Sequence, residues 1–249
     1  MIRFLILGSG SKGNATLIYD ETTLFQVDMG IPLCREQDGL KKLHKSLKDV
    51  KGILITHEHT DHIGTLGRLP TSIPVFSGEG TLHEHYNIIE DEVPFTIGDF
   101  VIFPLSVSHD ATNPMGFLIS HNGEKLVYIT DTGYVPEKDL PFIADADYYI
   151  FESNHDYRML MASKRPAILK KRIHSDHGHL SNADSATYLA SLIGESTKGI
   201  YLAHISEECN TPEMALETYR KIFDRKHKNL SKIHLECAKQ WESIEGGDQ

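Results

Sequence analysis

The feature that most constrains this chain is the stretch Thr56-His57-Glu58-His59-Thr60-Asp61-His62, which sets four potential metal ligands, His57, His59, Asp61 and His62, within six residues. It follows directly on Gly52-Ile53-Leu54-Ile55, an apolar run of the kind that forms a buried strand and delivers a loop at its end. His57 and His59 lie two apart, so an extended strand end points both side chains the same way. Asp61 and His62 fall where a helix should begin and can turn toward a second point beside the first. Four such residues in six have no packing purpose. Imidazoles suit zinc or iron and carboxylates suit harder ions such as manganese, so the motif predicts a two-metal site with one ion for each half.

The rest of the composition narrows the setting. The chain has 249 residues, enough for one large domain with a sizeable core, and a single domain over residues 1–249 is expected. A formal net charge of −10 argues against loose, charge-driven binding along a nucleic-acid backbone. It does not exclude a nucleic-acid enzyme, because bound divalent ions reverse the local sign. Cys34, Cys209 and Cys237 are odd in number and widely spaced, which suits a reducing, cytoplasmic setting without a disulfide framework. No membrane contact is expected: Ile2–Leu7 is too short for a leader, and no apolar run approaches the roughly 20 residues of a membrane span.

Read in order, the chain opens with short β-rich runs at Ile2–Leu7, Ala15–Tyr19 and Thr23–Val27, divided by turn residues. The glycine-rich segment 8–14 between the first two reads as a hairpin-like turn. Leu40–Leu47 and Thr81–Ile89 read as helices; His83 and His85 on the latter would face different ways and are expected at the surface. Further strands are predicted at Ile73–Phe76, Phe100–Leu105, Met115–Ser120, Leu126–Ile129, Tyr148–Phe151 and Gly199–Ala203. The box Ser181-Asn182-Ala183-Asp184 opens a helix to Leu192, and Thr211-Pro212-Glu213 opens another to about Phe223. A last strand at Ile233–Leu235 and a frayed tail from Glu245 complete the reading. Two blocks of strands, each followed by helices, predict two sheets between helical layers.

Five strand ends carry Asp or His: Asp28, His57 with its neighbours, His109, Asp131 and His204. Strand ends hold ligands rigidly. His57, His59 and His109 can make one metal site, Asp61, His62 and His204 a second, and Asp131 has two oxygens with which to bridge both. Two ions about 3.5–4 Å apart would hold a hydroxide, polarise a phosphoryl or carbonyl oxygen and stabilise a leaving oxygen.

With those residues in that order, the sequence resembles the metallo-β-lactamase superfamily along nearly the whole chain. The resemblance implies an αββα metallo-β-lactamase sandwich of two mixed β-sheets flanked by helices, two divalent metal ions at one edge of the sheets, and an Asp28 that orients the metal-binding loop without being a ligand. Segments such as Ser9-Gly10-Ser11-Lys12-Gly13-Asn14, Thr130-Asp131-Thr132-Gly133, Glu152-Ser153-Asn154-His155-Asp156 and Gly178-His179-Leu180-Ser181-Asn182 are similar to the YycJ/WalJ (VicX) group, bacterial cytoplasmic proteins similar to tRNase Z and regarded as DNA exonucleases acting from 5′ ends. Two departures stand out: the Ser163-Lys164-Arg165-Pro166 stretch is more basic than that pattern, and Cys209 stands where an Asn is expected after the last ligand.

His179 lies two residues before the capped helix, where an anion is favoured, and can donate a proton to a departing oxygen or stabilise phosphoryl charge. The resemblance to tRNase Z implies that role, with Glu152 as its orienting carboxylate. His155, His174 and His177 are expected at the surface or behind the ligands, His155 being the foremost exception. The run from Lys164 to Arg172 holds five basic residues and no acid and reads equally as a nucleic-acid contact or as a solvated helix face. The expected function is a dinuclear phosphodiesterase using a metal-bridging hydroxide, a DNA 5′-exonuclease, with Asp61, Glu152 and His179 in catalysis and zinc, manganese or iron as the metal. The alternative is hydrolysis of a small thioester, lactone or lactam on the same fold. A non-catalytic metal-binding partner protein would have lost ligands, and none is lost.

Overall fold

The computed structural model describes residues 1–84 and 86–247; His85 and the end of the tail lie outside the described residues. Its strands are β1 (Arg3–Gly8), β2 (Ala15–Tyr19), β3 (Leu24–Val27), β4 (Ile53–Leu54), β5 (Val75–Ser77), β6 (Asn87–Ile88), β7 (Phe95–Ile97), β8 (Phe100–Ser106), β9 (Met115–His121), β10 (Glu124–Ile129), β11 (Tyr148–Glu152), β12 (Gly199–Ala203), β13 (His234–Cys237) and β14 (Ile244–Gly247). The helices are α1 (Leu33–Lys42), α2 (Thr60–Ile63), α3 (Leu140–Ile143), α4 (Tyr157–Ala162), α5 (Ala167–Ile173), α6 (Asn182–Leu192) and α7 (Pro212–Arg225). Among the described residues the strands make two seven-stranded sheets. Two mixed sheets with flanking helices is the class that the sequence predicts. The chain divides into two compact units, one of Met1–Ser106, Ala111–Lys125 and Lys239–Gln249, the other of Val107–Asp110 and Leu126–Ala238.

In the first unit one sheet runs β14-β1-β2-β3-β4-β5-β6. It is antiparallel from β14 to β3 and parallel from β3 to β6. β3 and β4 therefore end at the same edge, which brings Asp28 beside the histidine motif. The core beneath includes Leu5, Leu7, Leu17, Leu40, Ile53 and Ile55, all buried. α1 lies close on β1 because Gly39 has no side chain: a Cβ there would stand 2.2 Å from Leu7 Cδ2. In the second unit β10, β11, β12 and β13 pair in parallel, so Asp131, Glu152 and His204 leave the sheet at one edge. The helices α6 and α7 begin as the sequence predicts, with Ser181 Oγ accepting from the Asp184 amide at 3.2 Å and Thr211 Oγ1 from the Met214 amide at 3.2 Å.

Three elements differ from the sequence reading. The helix expected at Leu40–Leu47 runs over Leu33–Lys42 instead. Pro32 fixes its start, and the left-handed backbone of His44, φ 55°, ends it; Leu43 and Leu47 still pack on the core from the turn that follows. Residues 81–84 are bends and the next regular element is β6, so Thr81–Ile89 is not a helix; His83 is exposed as expected. The tail is ordered as β14, with Glu245 opposite Leu5, because β1 offers an edge whose backbone groups need partners.

One buried carboxyl in this unit has no part in the motif. Burial pushes Glu36 up to about 8, opposed by the hydrogen bond it accepts from Gln26 Nε2, 3.0 Å away. The folded state therefore holds a proton that the unfolded chain releases near pH 4.5, and stability falls as pH rises from there to about 8. Glu36→Gln keeps the neutral shape and removes that decline. It should melt with the parent near pH 5 and well above it at pH 8–9 in thermal denaturation, by on the order of a few kcal/mol; equal melting at both pH values would contradict the assignment.

Candidate metal centre

Each unit carries a group of histidines anchored on one buried carboxylate. In the first unit the anchor is Asp28, which closes β3 in the left-handed region at φ 58°, a conformation that Asp tolerates better than most residues. Its Oδ1 accepts from the Thr56 amide at 2.9 Å and its Oδ2 from His62 Nδ1 at 2.8 Å. The Thr56 hydroxyl lies 3.0 Å from either oxygen and 3.0 Å from His57 Nδ1. The rings of His57 and His59 have centroids 4.6 Å apart and those of His57 and His62 4.0 Å apart. Asp61 Oδ2 stands 3.6 Å from His62 Nε2. His57 and His62 are buried, and His59 and Asp61 half-buried. Burial pushes the Asp28 carboxyl up against the pull of His62 and Thr56.

The glycine-rich loop supports this group from below. The Asn14 amide donates to Asp61 O at 2.8 Å, and Asn14 Nδ2 sits 3.1 Å from His62 Nε2. Gly30 allows the approach: a Cβ there would stand 1.7 Å from the Asp61 carbonyl oxygen. The loop is a brace, more than the turn that its glycines alone indicate.

In the second unit the anchor is Glu152, the last residue of β11 and fully buried. Its Oε2 accepts from the Thr132 amide and the Leu180 amide, each at 3.0 Å. Its Oε1 accepts from His179 Nδ1 at 2.8 Å and His204 Nδ1 at 2.9 Å. Burial works to raise this carboxyl, but the His179 charge and the bonds from His179 and His204 outweigh it and hold the group at about 2. Asp131 Oδ1 lies 3.2 Å from His204 Nδ1, 3.6 Å from His179 Nδ1 and 3.9 Å from His109 Nε2. Ligand atoms of Asp131, Glu152, His179 and His204 all fall within 4.8 Å of one another. His109 Nδ1 donates to the Gly178 carbonyl at 3.0 Å, and burial pushes this imidazole down. Asp131 and His204, like Asp28, leave their strands in the left-handed region, at φ 55° and 54°.

His179 is presented by a short zipper. The Asn154 amide donates to Leu180 O at 3.0 Å and the Asn182 amide to His155 O at 2.9 Å, so residues 153–155 and 180–182 run side by side. Asn210 ties both ends, donating to Ser153 O and to Asn182 Oδ1 at 2.9 and 2.8 Å. Cys209, the departure noted after the last candidate ligand, is a buried packing residue beside Leu160 and Ile173, and an Asn follows it at 210. His155 is also buried, 3.3 Å from His174 Nδ1, with its pKa pushed down to about 4, first by burial and then by His174. His174 and His177 are exposed. In the basic run, Arg165 pairs with Glu208 at 2.9 Å and Arg172 with Asp110 at 2.6 Å, so two of its charges are neutralised.

The residues fit a divalent metal. The buried imidazoles of His57, His62, His109 and His204 all engage Nδ1 with a hydroxyl, carboxylate or carbonyl. At His62, His109 and His204 the acceptor is a carboxylate or a carbonyl, which draws the proton to Nδ1 and would leave Nε2 to a metal, the arrangement found behind metal-bound histidines. Thr56, Thr132, Asn14 and Asn154 stand out in the sequence only as members of motifs, with no role of their own, and Asn210 in none; they hold the loops through contacts between distant segments.

Comparison with known proteins gives the class. The family described as a beta-lactamase superfamily domain matches residues 28–205, and the chain belongs to that family. It is therefore an enzyme of a metal-dependent hydrolase class. Within that class it is 37% identical over 238 residues to exodeoxyribonuclease YycJ of Bacillus anthracis, with 90% of each chain covered. It is 35% identical over 228 residues to exodeoxyribonuclease WalJ of Streptococcus pneumoniae, covering 86% of this chain and 85% of that one. Its fold is that of the metallo-beta-lactamase fold protein YhfI from Bacillus subtilis, with a TM-score of 0.72 at 18% identity over 98% of this chain and 99% of that one, and of the short form of human tRNase Z, with a TM-score of 0.63 at 19% identity over 97% and 98%.

Because Asp28 accepts from His62 Nδ1 and lies behind that ring, Asp28→Ala should still fold but bind metal about 10- to 100-fold more weakly. Competition with a metallochromic chelator measures this directly, and parental affinity in the variant would remove Asp28 from the centre.

Proposed function

We propose that the chain is a dinuclear phosphodiesterase that shortens DNA from 5′ ends, and that its two units form one sandwich domain whose two histidine groups hold one pair of ions. His57, His59 and His109 would take one ion, Asp61, His62 and His204 the other, with Asp131 between them. Zinc, manganese or iron fits these donors. Bound there, the ions would supply Lewis acidity and an activated water. A nucleic acid is the substrate class of the relatives that share a third of their residues with this chain over most of their length.

The observation that carries the reading is the Glu152–His179 pair. Glu152 holds the ring through Nδ1, which turns Nε2 of His179 outward, and the ring is partly open while its carboxylate is buried. A bond of this kind holds the imidazole in one orientation. Such a group can donate to the departing oxygen of a phosphodiester. An acyl hydrolase of this fold needs no second histidine at a helix start, so the pair favours phosphodiester chemistry over thioester, lactone or lactam hydrolysis. The protein would work as a cytoplasmic enzyme; among the described residues no helix is long and apolar enough to cross a membrane.

End-labelled DNA incubated with manganese should release nucleotides, with RNA, bis-p-nitrophenyl phosphate and nitrocefin run in parallel, and Asp61→Ala should abolish the release. Turnover of nitrocefin or a thioester with no phosphodiester cleavage would reject the reading. His179→Ala should keep its metal content, measured by elemental analysis, while turnover falls by roughly 10²-fold or more; unchanged turnover would take His179 out of the mechanism.

A further inference from the structure

On the first unit, away from the histidine motif in sequence, a groove of about 580 Å³ runs between α1 and residues 241–243. Leu7 and Gly39 line its apolar side, and Arg35, Lys42 and Trp241 its other side. Trp241 is the only tryptophan in the chain. It is 37% exposed, high for a residue whose ring is worth burying. The Arg35 guanidinium lies over that ring at 4.7 Å from its centroid and Arg35 Nη1 donates to the Trp241 carbonyl at 2.8 Å, so the pair is held as a preformed stack.

The charges in the groove are arranged unevenly. Its two acids are each matched by a lysine, Asp38 by Lys41 at 3.1 Å and Glu242 by Lys239 at 2.5 Å. Its own two cations bond to uncharged groups: Arg35 to a carbonyl, and Lys42 to the Ser243 hydroxyl at 2.5 Å. The lining itself carries two cations and two acids, but because each acid is held by a lysine from outside the groove, Arg35 and Lys42 stand beside the half-open indole bonded to neutral groups. An aromatic face with flanking cations is the arrangement that holds a single nucleic-acid strand, the ring stacking a base and the cations meeting phosphates.

The groove is also wired to the metal-bearing loop. Gln240, next to Trp241, accepts from the Lys12 amide at 2.8 Å and donates to the Gly13 carbonyl at 2.7 Å. Asn14, the following residue, bonds to Asp61 and reaches His62. Counting this path residue by residue puts Trp241 within roughly 20 Å of His62, a span of a few nucleotides.

We propose that the Arg35–Trp241–Lys42 groove is a second contact for the substrate strand, gripping a single-stranded segment a few nucleotides from the scissile bond. The proposal rests on the nuclease reading above. It makes the groove matter for long substrates and not for small ones.

Two measurements on the metal-loaded full chain test it. Titration with an oligothymidylate of phosphorothioate backbone, which resists cleavage, should quench Trp241 emission in a saturable, salt-sensitive way. The double variant Arg35→Ala, Lys42→Ala should raise KM for a long single strand about tenfold, leave kcat and bis-p-nitrophenyl phosphate hydrolysis unchanged, and lower the slope of log affinity against log salt by about 1.4 for two lost phosphate contacts. Lys42→Glu, which leaves the Arg35–Trp241 stack in place, should raise KM in the same direction with an unchanged melting temperature. Absence of quenching at strand concentrations that saturate turnover, or an unchanged KM and salt slope in both variants, would overturn the groove. Failure of the wild-type chain to cleave any phosphodiester would instead overturn the nuclease reading, so the two are separable.

Discussion

The structure depends on two carboxylates that never face solvent. Asp28 and Glu152 are each buried completely, and each divides its oxygens in the same way: one accepts from backbone amides, the other from imidazole Nδ1 atoms. A buried carboxylate left without partners would cost several kcal/mol, so the partners cannot drift. The backbone amides fix the carboxylate, and the carboxylate fixes the rings. What remains to each imidazole is its Nε2, aimed in one direction. The two anchors are nevertheless held differently: burial prevails at Asp28 and pushes its carboxyl up, whereas at Glu152 two histidines outweigh burial and hold the group at about 2.

The same economy shows in the backbone. Asp28, Asp131 and His204 each leave a strand in the left-handed region, where an L-residue with a side chain is disfavoured by about 1–2 kcal/mol. Three such turns in ordinary loops would be relieved by glycine. Here glycine would remove the side chain that the turn exists to aim, so the strain is retained where it serves the site. Glycine is used instead where no side chain fits, as at Gly30 against the Asp61 carbonyl.

Those differences explain what could be read from the sequence. The two histidine groups were legible because their members follow apolar strand runs, and because four candidate ligands crowd into one motif with no packing purpose. The central strands and the caps at Ser181 and Thr211 were legible because their signals are local. α1 was displaced because leucine spacing over 40–47 outweighed Pro32, whose fixed φ sets the true start. β14 was hidden because a tail of Ile244-Glu245-Gly246-Gly247 has little β-propensity of its own and is ordered only by the edge of β1. Asn14 and Asn210 were missed for a related reason: an asparagine in a loop carries no sign of which distant carbonyl it will meet.

Net charge and local charge have opposite consequences here. At −10 the chain as a whole repels a polyanion, and the basic run from Lys164 to Arg172 does less than its sequence promises, since Arg165 and Arg172 are spent on Glu208 and Asp110. Arg172 in particular neutralises the acid next to His109, which favours an electrostatic role inside the second unit over contact with a ligand. Attraction for a nucleic-acid strand then has to come from bound cations and from side chains whose partners are neutral. Arg35 and Lys42 on the first unit meet that condition, and on the second unit Lys170, which donates to the Met161 carbonyl, does so too. A surface that is acidic overall and cationic at a few such places would hold a strand there and release it elsewhere, which suits an enzyme that must let go of its substrate better than a uniformly basic surface would.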